Sequence, residues 1–336
     1  MTKTILLAHG SGGEISHELI RDLFVRAFDN AKLSEQGDSA ILDDLPTGRV
    51  ALTTDSYVVK PLIFPGGNIG ELAVCGTVND LAVMGARPLY LTAGFILEEG
   101  LDYDMLHNIV ASMAATARAA GVQIVTGDTK VVDRGAADGM FINTAGVGVI
   151  PPGVDLGPHR IQSDDAILIN GTVGDHGMAV MMQREGLAFE SALESDTAPL
   201  NGLIGDLLEA LPGKVHWMRD PTRGGLATVL NEWSESAGVG IHLTEVDIPV
   251  QEEVRAACEF LGLDPLYVAN EGKVVIAVAA ESADRALEIL RRHHLGHNAA
   301  VIGRLTDAHR HVVLETPYGA RRIMQMLTGA QLPRIC

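Results

Sequence analysis

An α+β chain of two domains is what the sequence predicts, on three observations. Its 336 residues suit two ordinary hydrophobic cores better than one. Strand-like apolar runs and helix-like runs are mixed, without the strict alternation of a doubly wound parallel sheet. Near the midpoint the pair Pro151–Pro152 interrupts regular structure, which marks a domain boundary.

The elements follow in order. "MTKTILLAHGSGG" has an apolar stretch cut short by His9 and glycines, and a helical pattern begins near Ser16. "GRVALTTDS" reads as a strand running into Asp55, and "GVQIVTGDTK" as a strand ending at Asp128. Between them, "IGELAVCGTVNDLAVMGA" spaces Ile69, Leu72, Ala73, Gly76 and Leu81 as a helix that stops at Gly85. "YDMLHNIVASMAATARAAG" is an amphipathic helix with its stop at Gly121. Past the prolines, "DAILINGTVGDHG" is a strand and glycine turn that delivers Asp175 to the helix "HGMAVMMQREG". The loop "RDPTRGG" leads into the helix "LATVLNEWSESAG" and the strand "VGIHLTEV"; "KVVIAVAA" and "SADRALEILRRHH" add a strand and a helix. "TGAQLPRIC" has no periodicity and reads as a tail.

Composition narrows the function. Hydrophobic residues at 47% and charged residues at 20% describe a globular chain rather than a disordered one. Lys+Arg 25 against Asp+Glu 43 gives −18, which argues against nucleic acid or an anionic membrane as the main partner. An anionic ligand would then need a divalent metal or a cradle of backbone N–H groups. Cys75, Cys258 and Cys336 lie far apart with no CxxC spacing, so neither a disulfide framework nor structural zinc is expected. With no signal-peptide pattern and no apolar window of membrane-spanning length, a cytoplasmic location is expected.

Several residues carry possible chemistry. In "HGSGGE", Gly10, Gly12 and Gly13 precede a helix pattern, as in a phosphate cradle or a plain turn. Asp38 ("GDSA"), Asp55 ("TTDS"), Asp80 ("VNDLAVMGA") and Asp128 ("TGDTK") all sit beside glycine, serine, threonine or a helical run. Each alone reads as a turn former or cap; together they would suit Mg²⁺ bridging to phosphate oxygens. Lys130 and Lys273 lie beside candidate carboxylates, and Glu271 in "NEGK" is placed to take a proton, although such Glu/Lys neighbours are often solvated pairs. The histidines of "RRHHLGH" have metal-like spacing, but basic residues at a helix end also suit the helix dipole. Cys336 is either a frayed end or a tethered substrate, since nine extended residues reach up to about 30 Å.

The terminal "PRIC", with "HGSGGE", "TTDS", "NDLAVMGA", "TGDTKVV", "DPTRGG" and "NEGK", resembles the HypE family of hydrogenase maturation factors. "PRIC" is the specific motif. The others are shared with the wider superfamily of aminoimidazole ribonucleotide synthetase, selenophosphate synthetase and thiamine-monophosphate kinase. The resemblance implies a PurM-like fold with an ATP-binding and dimerisation domain at 1–152, a layered α/β domain at 153–328 and a flexible tail at 329–336. It implies a homodimer whose N-terminal strands build one β-barrel, with ATP and Mg²⁺ at Asp38, Asp55, Asp80 and Asp128 and the glycine loop closing over the phosphates. It also implies that a HypF carbamoyltransferase loads Cys336 and that ATP-dependent dehydration yields a thiocyanate. A HypC–HypD complex then receives the cyanide ligand for [NiFe]-hydrogenase. On that pattern Lys130 steadies the transferring phosphoryl group or carboxamide, and Glu271 is the base. The rival reading is a small-molecule kinase or synthetase of the same superfamily, with Cys336 incidental.

Overall fold

The computed structural model describes residues 4–37, 39–43, 45–186, 193–327, 329 and 335; Asp38 and Cys336 lie outside them. Helix α1 (Glu14–Leu19) passes through a π-helical stretch, Ile20–Val25, into α2 (Arg26–Phe28), and α3 (Ala31–Ser34) follows. Next come β1 (Arg49–Tyr57), the short pair β2 (Ile63–Phe64) and β3 (Gly67–Asn68), and α4 (Ile69–Val83). β4 (Arg87–Glu98), α5 (Tyr103–Ala120), β5 (Gln123–Val132) and β6 (Met140–Ile150) complete the first domain. The four long strands form one sheet in the order β1-β6-β4-β5, parallel only between β4 and β5, which α5 connects.

Both long helices start and stop where their sequences dictate. Asn68 accepts hydrogen bonds from the Gly70 and Glu71 N–H groups, and Asp102 accepts from Asp104 and Met105. Gly121 ends α5 in the left-handed region, at φ 70°. α4 is buried on nearly every side, because the sheet, α5 and the second domain all pack against it. β5 does not end at Asp128 but runs on to Val132, so Asp128 projects from mid-strand. The helices cover one face of the sheet. The other face is open, with Val50 60%, Leu52 74% and Ile96 43% exposed, and β1 and β5 remain separate edges.

The second domain contains β7 (Ala166–Ile169), α6 (Asp175–Glu185), α7 (Asn201–Ala210), β8 (Val215–Arg219) and α8 (Gly225–Ala237). β9 (Gly240–Thr244), α9 (Glu252–Leu261), β10 (Val275–Val278), α10 (Ala283–Arg292), β11 (Ala300–Thr306), β12 (Val312–Glu315) and β13 (Arg321–Ile323) follow. Its sheet runs β13-β12-β9-β11-β7-β10-β8, parallel only between β12 and β9. "AILI" and "VIAV" are apolar at every position because both faces are covered. Ile167, Ile169, Val275 and Ala277 meet Leu230 and the stacked Trp217–Trp233 pair; Leu168, Ile276 and Val278 meet Leu203, Leu207 and Leu290 of α7 and α10. Each of these valines, leucines and isoleucines contributes about 1.5–3 kcal/mol of burial.

The two cores interlock. Ala82 and Val83 of α4 join the second domain's core, while Val180, Ala269 and Ile335 join the first domain's. Ile335 belongs to the tail expected to be flexible, yet its side chain is buried, 3% exposed.

Candidate active site

A cleft of about 390 Å³ opens between the domains. One wall is β1 from Ala51 to Asp55 together with Gly76 and Asp80 of α4. The other is the "RDPTRGG" loop after β8, with Arg219, Asp220, Thr222 and Arg223, and Glu271 from the "NEGK" loop. Gly76 is required here, since a Cβ would lie 2.3 Å from the Tyr57 hydroxyl. The strand and helix periods thus bring Asp55 and Asp80, 25 residues apart in sequence, to one cavity with Glu271.

Burial and neighbouring charge raise the proton affinity of Glu271, Asp220 and Asp80. Burial pushes Glu271 well above the usual carboxylate range, and Asp196, Asp220 and Asp55 push it further. Glu271 is 3% exposed and its Oε1 accepts no hydrogen bond. Asp220 is pushed up to about 7 by burial and by Asp80. Asp80 is raised by burial as well, although Thr53 Oγ1 donates to its Oδ2 at 2.9 Å. Asp55 accepts from the Ser56 N–H at 2.8 Å and lies 3.7 Å from the Arg223 guanidinium. Among the described residues no three of the His, Cys, Asp and Glu side chains are grouped as a ready cation site. The donor set is nevertheless of the kind Mg²⁺ takes, since Asp55, Asp80 and Asp220 bring only carboxyl oxygens to one cleft.

A second cluster adjoins the cleft through consecutive residues. Asp196 Oδ1 accepts from the Glu271 N–H at 3.1 Å, and Oδ2 accepts from Lys273 Nζ at 2.8 Å. Lys273 holds the Asp196 carboxyl below the usual range despite its burial. Ser195 Oγ lies 2.8 Å from Nδ1 of His176, whose Nε2 lies 2.9 Å from the Ile335 carbonyl oxygen. A carbonyl only accepts, so Nε2 carries the proton and Nδ1 accepts from the Ser195 hydroxyl. Asn79 ties both sides together: Nδ2 donates to the Ala198 and Glu271 carbonyls at 3.1 Å each, and Oδ1 accepts from the Leu200 N–H at 2.7 Å.

The remaining sequence candidates lie elsewhere in the chain. Asp128 and Lys130 form an ion pair at 2.7 Å on the open face of β5. Lys130 holds the Asp128 carboxyl below its usual range. Two strands separate β5 from β1, roughly 14 Å at ordinary strand spacing. The glycine loop also packs beside β5: a Cβ on Gly10 would lie 2.4 Å from the Val131 nitrogen, Gly12 has φ 83°, and Gly13 precedes α1. One chain therefore gathers Asp55, Asp80 and Glu271, but not Gly10, Gly12, Gly13, Asp128 or Lys130. Asp38 and Cys336 are outside the described residues. Sequence reasoning missed Asp220, Arg219, Arg223, Asn79 and His176. The dense charge of "RDPTRGG" ahead of a helix was the available signal for the first three; nothing local marks His176. Cys75 and Cys258 are buried free thiols, and burial pushes Cys75 far up and Cys258 to about 11.

The AIR synthase related protein N-terminal domain family matches residues 36–150, and the corresponding C-terminal domain family matches residues 162–315. The carbamoyl dehydratase HypE of Azotobacter vinelandii is 54% identical over 334 residues, 99% of this chain and 97% of its own. A crystal structure of the hydrogenase maturation protein HypE in complex with ATP superposes with a TM-score of 0.95 at 52% identity, covering 99% of this chain and 100% of that one. A chain from a HypE–HypF complex superposes with a TM-score of 0.81 at 50% identity, covering 92% and 99%. The fold is thus the two-domain α+β PurM-like one, and the chain belongs to the AIR synthase related family and, within it, to the HypE carbamoyl dehydratases.

Proposed function

We propose that this chain is the ATP-dependent carbamoyl dehydratase of [NiFe]-hydrogenase maturation, acting on its own Cys336. The observation that carries this reading is the link made by two neighbouring residues. Ser195 bonds the histidine that holds the Ile335 carbonyl, and Asp196 bonds the backbone of Glu271. The residue next to the terminal sulfur is thereby tied to the loop that carries the candidate base.

The chemistry is a balanced dehydration. The oxygen of S–CO–NH₂ attacks the γ-phosphorus of ATP as nitrogen passes one proton to solvent, giving an O-phosphorylated imidate and ADP. Phosphate then leaves with the C–O bond electrons, the second N–H proton goes to a base, and S–C≡N remains. Glu271 is that base: burial raises its proton affinity above that of an ordinary carboxylate, which makes the ionised form a stronger proton acceptor. Asp55, Asp80, Asp220 and, outside the described residues, Asp38 would hold Mg²⁺, which spreads phosphate charge when bound. Arg219 and Arg223 add fixed positive charge to the same cleft.

The open sheet face, with Leu52 and Ile96 exposed, supports a homodimer in which strands of two chains close a barrel. In that dimer Lys130 and Asp128 serve at a site completed by the second copy, with the Gly10, Gly12 and Gly13 loop near the phosphates. HypF supplies the carbamoyl group, and a HypC–HypD complex takes the cyanide. Residues 1–152 form the nucleotide and dimer domain, 153–328 the second domain, and 329–336 the substrate tail.

Intact-mass analysis tests the reading. Carbamoyl loading of the terminal peptide followed by ATP-dependent loss of one water is expected for the natural chain. Glu271→Gln should load but stall before water loss, and a chain ending at Ile335 should bind ATP yet accept no carbamoyl group. Normal water loss in Glu271→Gln would remove Glu271 from the role of base.

A further inference from the structure

We infer that His176 is a positioning residue for the dehydration step, latching the chain's end through a hydrogen bond from Nε2 to the Ile335 carbonyl. The inference rests on the reading that Cys336 carries the reacting group. His176 has 0% exposure as the second residue of α6, where the glycine turn 171–174 delivers it between the domains. Its ring is fixed from three directions. Phe64 meets it edge-on with centroids 5.4 Å apart, Ser195 Oγ sits 2.8 Å from Nδ1, and the Ile335 oxygen sits 2.9 Å from Nε2.

The ring's proton is directed as well as its plane. The Thr197 N–H donates to Ser195 Oγ at 3.1 Å, and the Thr197 hydroxyl lies 2.7 Å from it. With the serine oxygen supplied by donors, its own hydroxyl proton points to Nδ1, which leaves the N–H on Nε2. Burial disfavours the charged ring, and in the neutral ring the carbonyl at Nε2 selects this tautomer. The tail's anchor is thus a main-chain carbonyl, read by a donor that cannot turn away.

A held carbonyl at Ile335 leaves the sulfur of the next residue a covalent reach of about 5 Å. One neutral hydrogen bond and one buried isoleucine side chain are strong enough to hold the tail for chemistry. They are also weak enough to release it to a carbamoyl donor on another protein. A buried histidine with no acceptor would favour the tail's return.

The full-length protein and two variants test the latch. His176→Phe keeps an aromatic ring and removes the donor; His176→Gln keeps an N–H near the position of Nε2. The first measurement is the alkylation rate of Cys336 by iodoacetamide, located by peptide mass, with the buried Cys75 and Cys258 as internal references. His176→Phe should react about tenfold faster than the natural chain, and His176→Gln close to the natural rate. The second is single-turnover water loss from the carbamoylated chain with ATP, expected about tenfold slower in His176→Phe and recovered in His176→Gln, while loading by HypF is undiminished in both. Natural rates of alkylation and water loss in His176→Phe, or no recovery in His176→Gln, overturn the inference. If His176→Phe does not fold, Ser195→Ala, which frees the tautomer, should raise alkylation several-fold, and a natural rate there also overturns it. If the natural carbamoylated chain yields no thiocyanate, the proposed function falls, while the alkylation rates still decide the latch.

Discussion

Replacing Asn79 with alanine should separate the two domains energetically at the point where the site is assembled. The side chain is 1% exposed and bridges α4 to two segments of the second domain. Alanine would strand the Leu200 N–H at the start of α7 and remove a donor from the Ala198 and Glu271 carbonyls. Each stranded buried polar group costs about 1–3 kcal/mol, and the carbonyls relax more readily than the N–H. The sum is about 2–4 kcal/mol, read as a lowered urea midpoint at unchanged slope. Asn79→Asp keeps the acceptor for Leu200 but turns a lone pair towards both carbonyls, so it should fare no better. Because the Glu271 carbonyl loses one of the two side-chain tethers on that residue's backbone, water loss from the carbamoylated tail should fall more than ATP affinity does. A change within 0.5 kcal/mol of zero in Asn79→Ala would refute the reasoning.

Asp220 gives a pH test. An unfolded aspartate titrates near 4, while this one is held at about 7, so the folded chain keeps an extra proton between those values. Its contribution to stability is fully present below the ordinary carboxylate range and lost as pH rises through 7. Asp220→Asn should flatten that slope, and an unchanged slope from pH 5 to 8 would contradict the assignment. Gly10→Ala would drive a Cβ to 2.4 Å from the Val131 nitrogen and should cost about 1–3 kcal/mol in thermal unfolding. Gly13→Ala meets nothing within 4 Å and should be near neutral, so equal effects would refute the packing argument. Leu52→Glu places a charge on the open sheet face and should shift the mass in analytical ultracentrifugation from dimer to monomer; an undisturbed dimer would show that this face is not the interface.

Elements with strong local signals were legible in the sequence. α5 is marked by its amphipathic pattern and its stop at Gly121, and the segments of α8 and α10 read as helices beside strands. β5 overran its expected end because Gly127 and Asp128 look like a turn locally; pairing with β4 carries the strand through them. Asp55, Asp80 and Glu271 were legible as chemistry-bearing types, but their union in one cleft depends on the packing of two domains. His176 illustrates the limit most clearly. Its partners are Ser195 and Ile335, 19 and 159 residues away, and no short-range pattern encodes such a contact.

The two buried thiols have a consequence for fidelity. A thiol acts as a nucleophile through its thiolate, and a group titrating near 11 is ionised in only about one molecule in ten thousand at pH 7. Cys75, also pushed up by burial and sealed in α4, is quiet for the same reason. An activated one-carbon group or a nascent cyanide equivalent therefore finds no competing acceptor on these side chains. Misdirected transfer is suppressed by the hydrophobic interior itself, without any dedicated proofreading step.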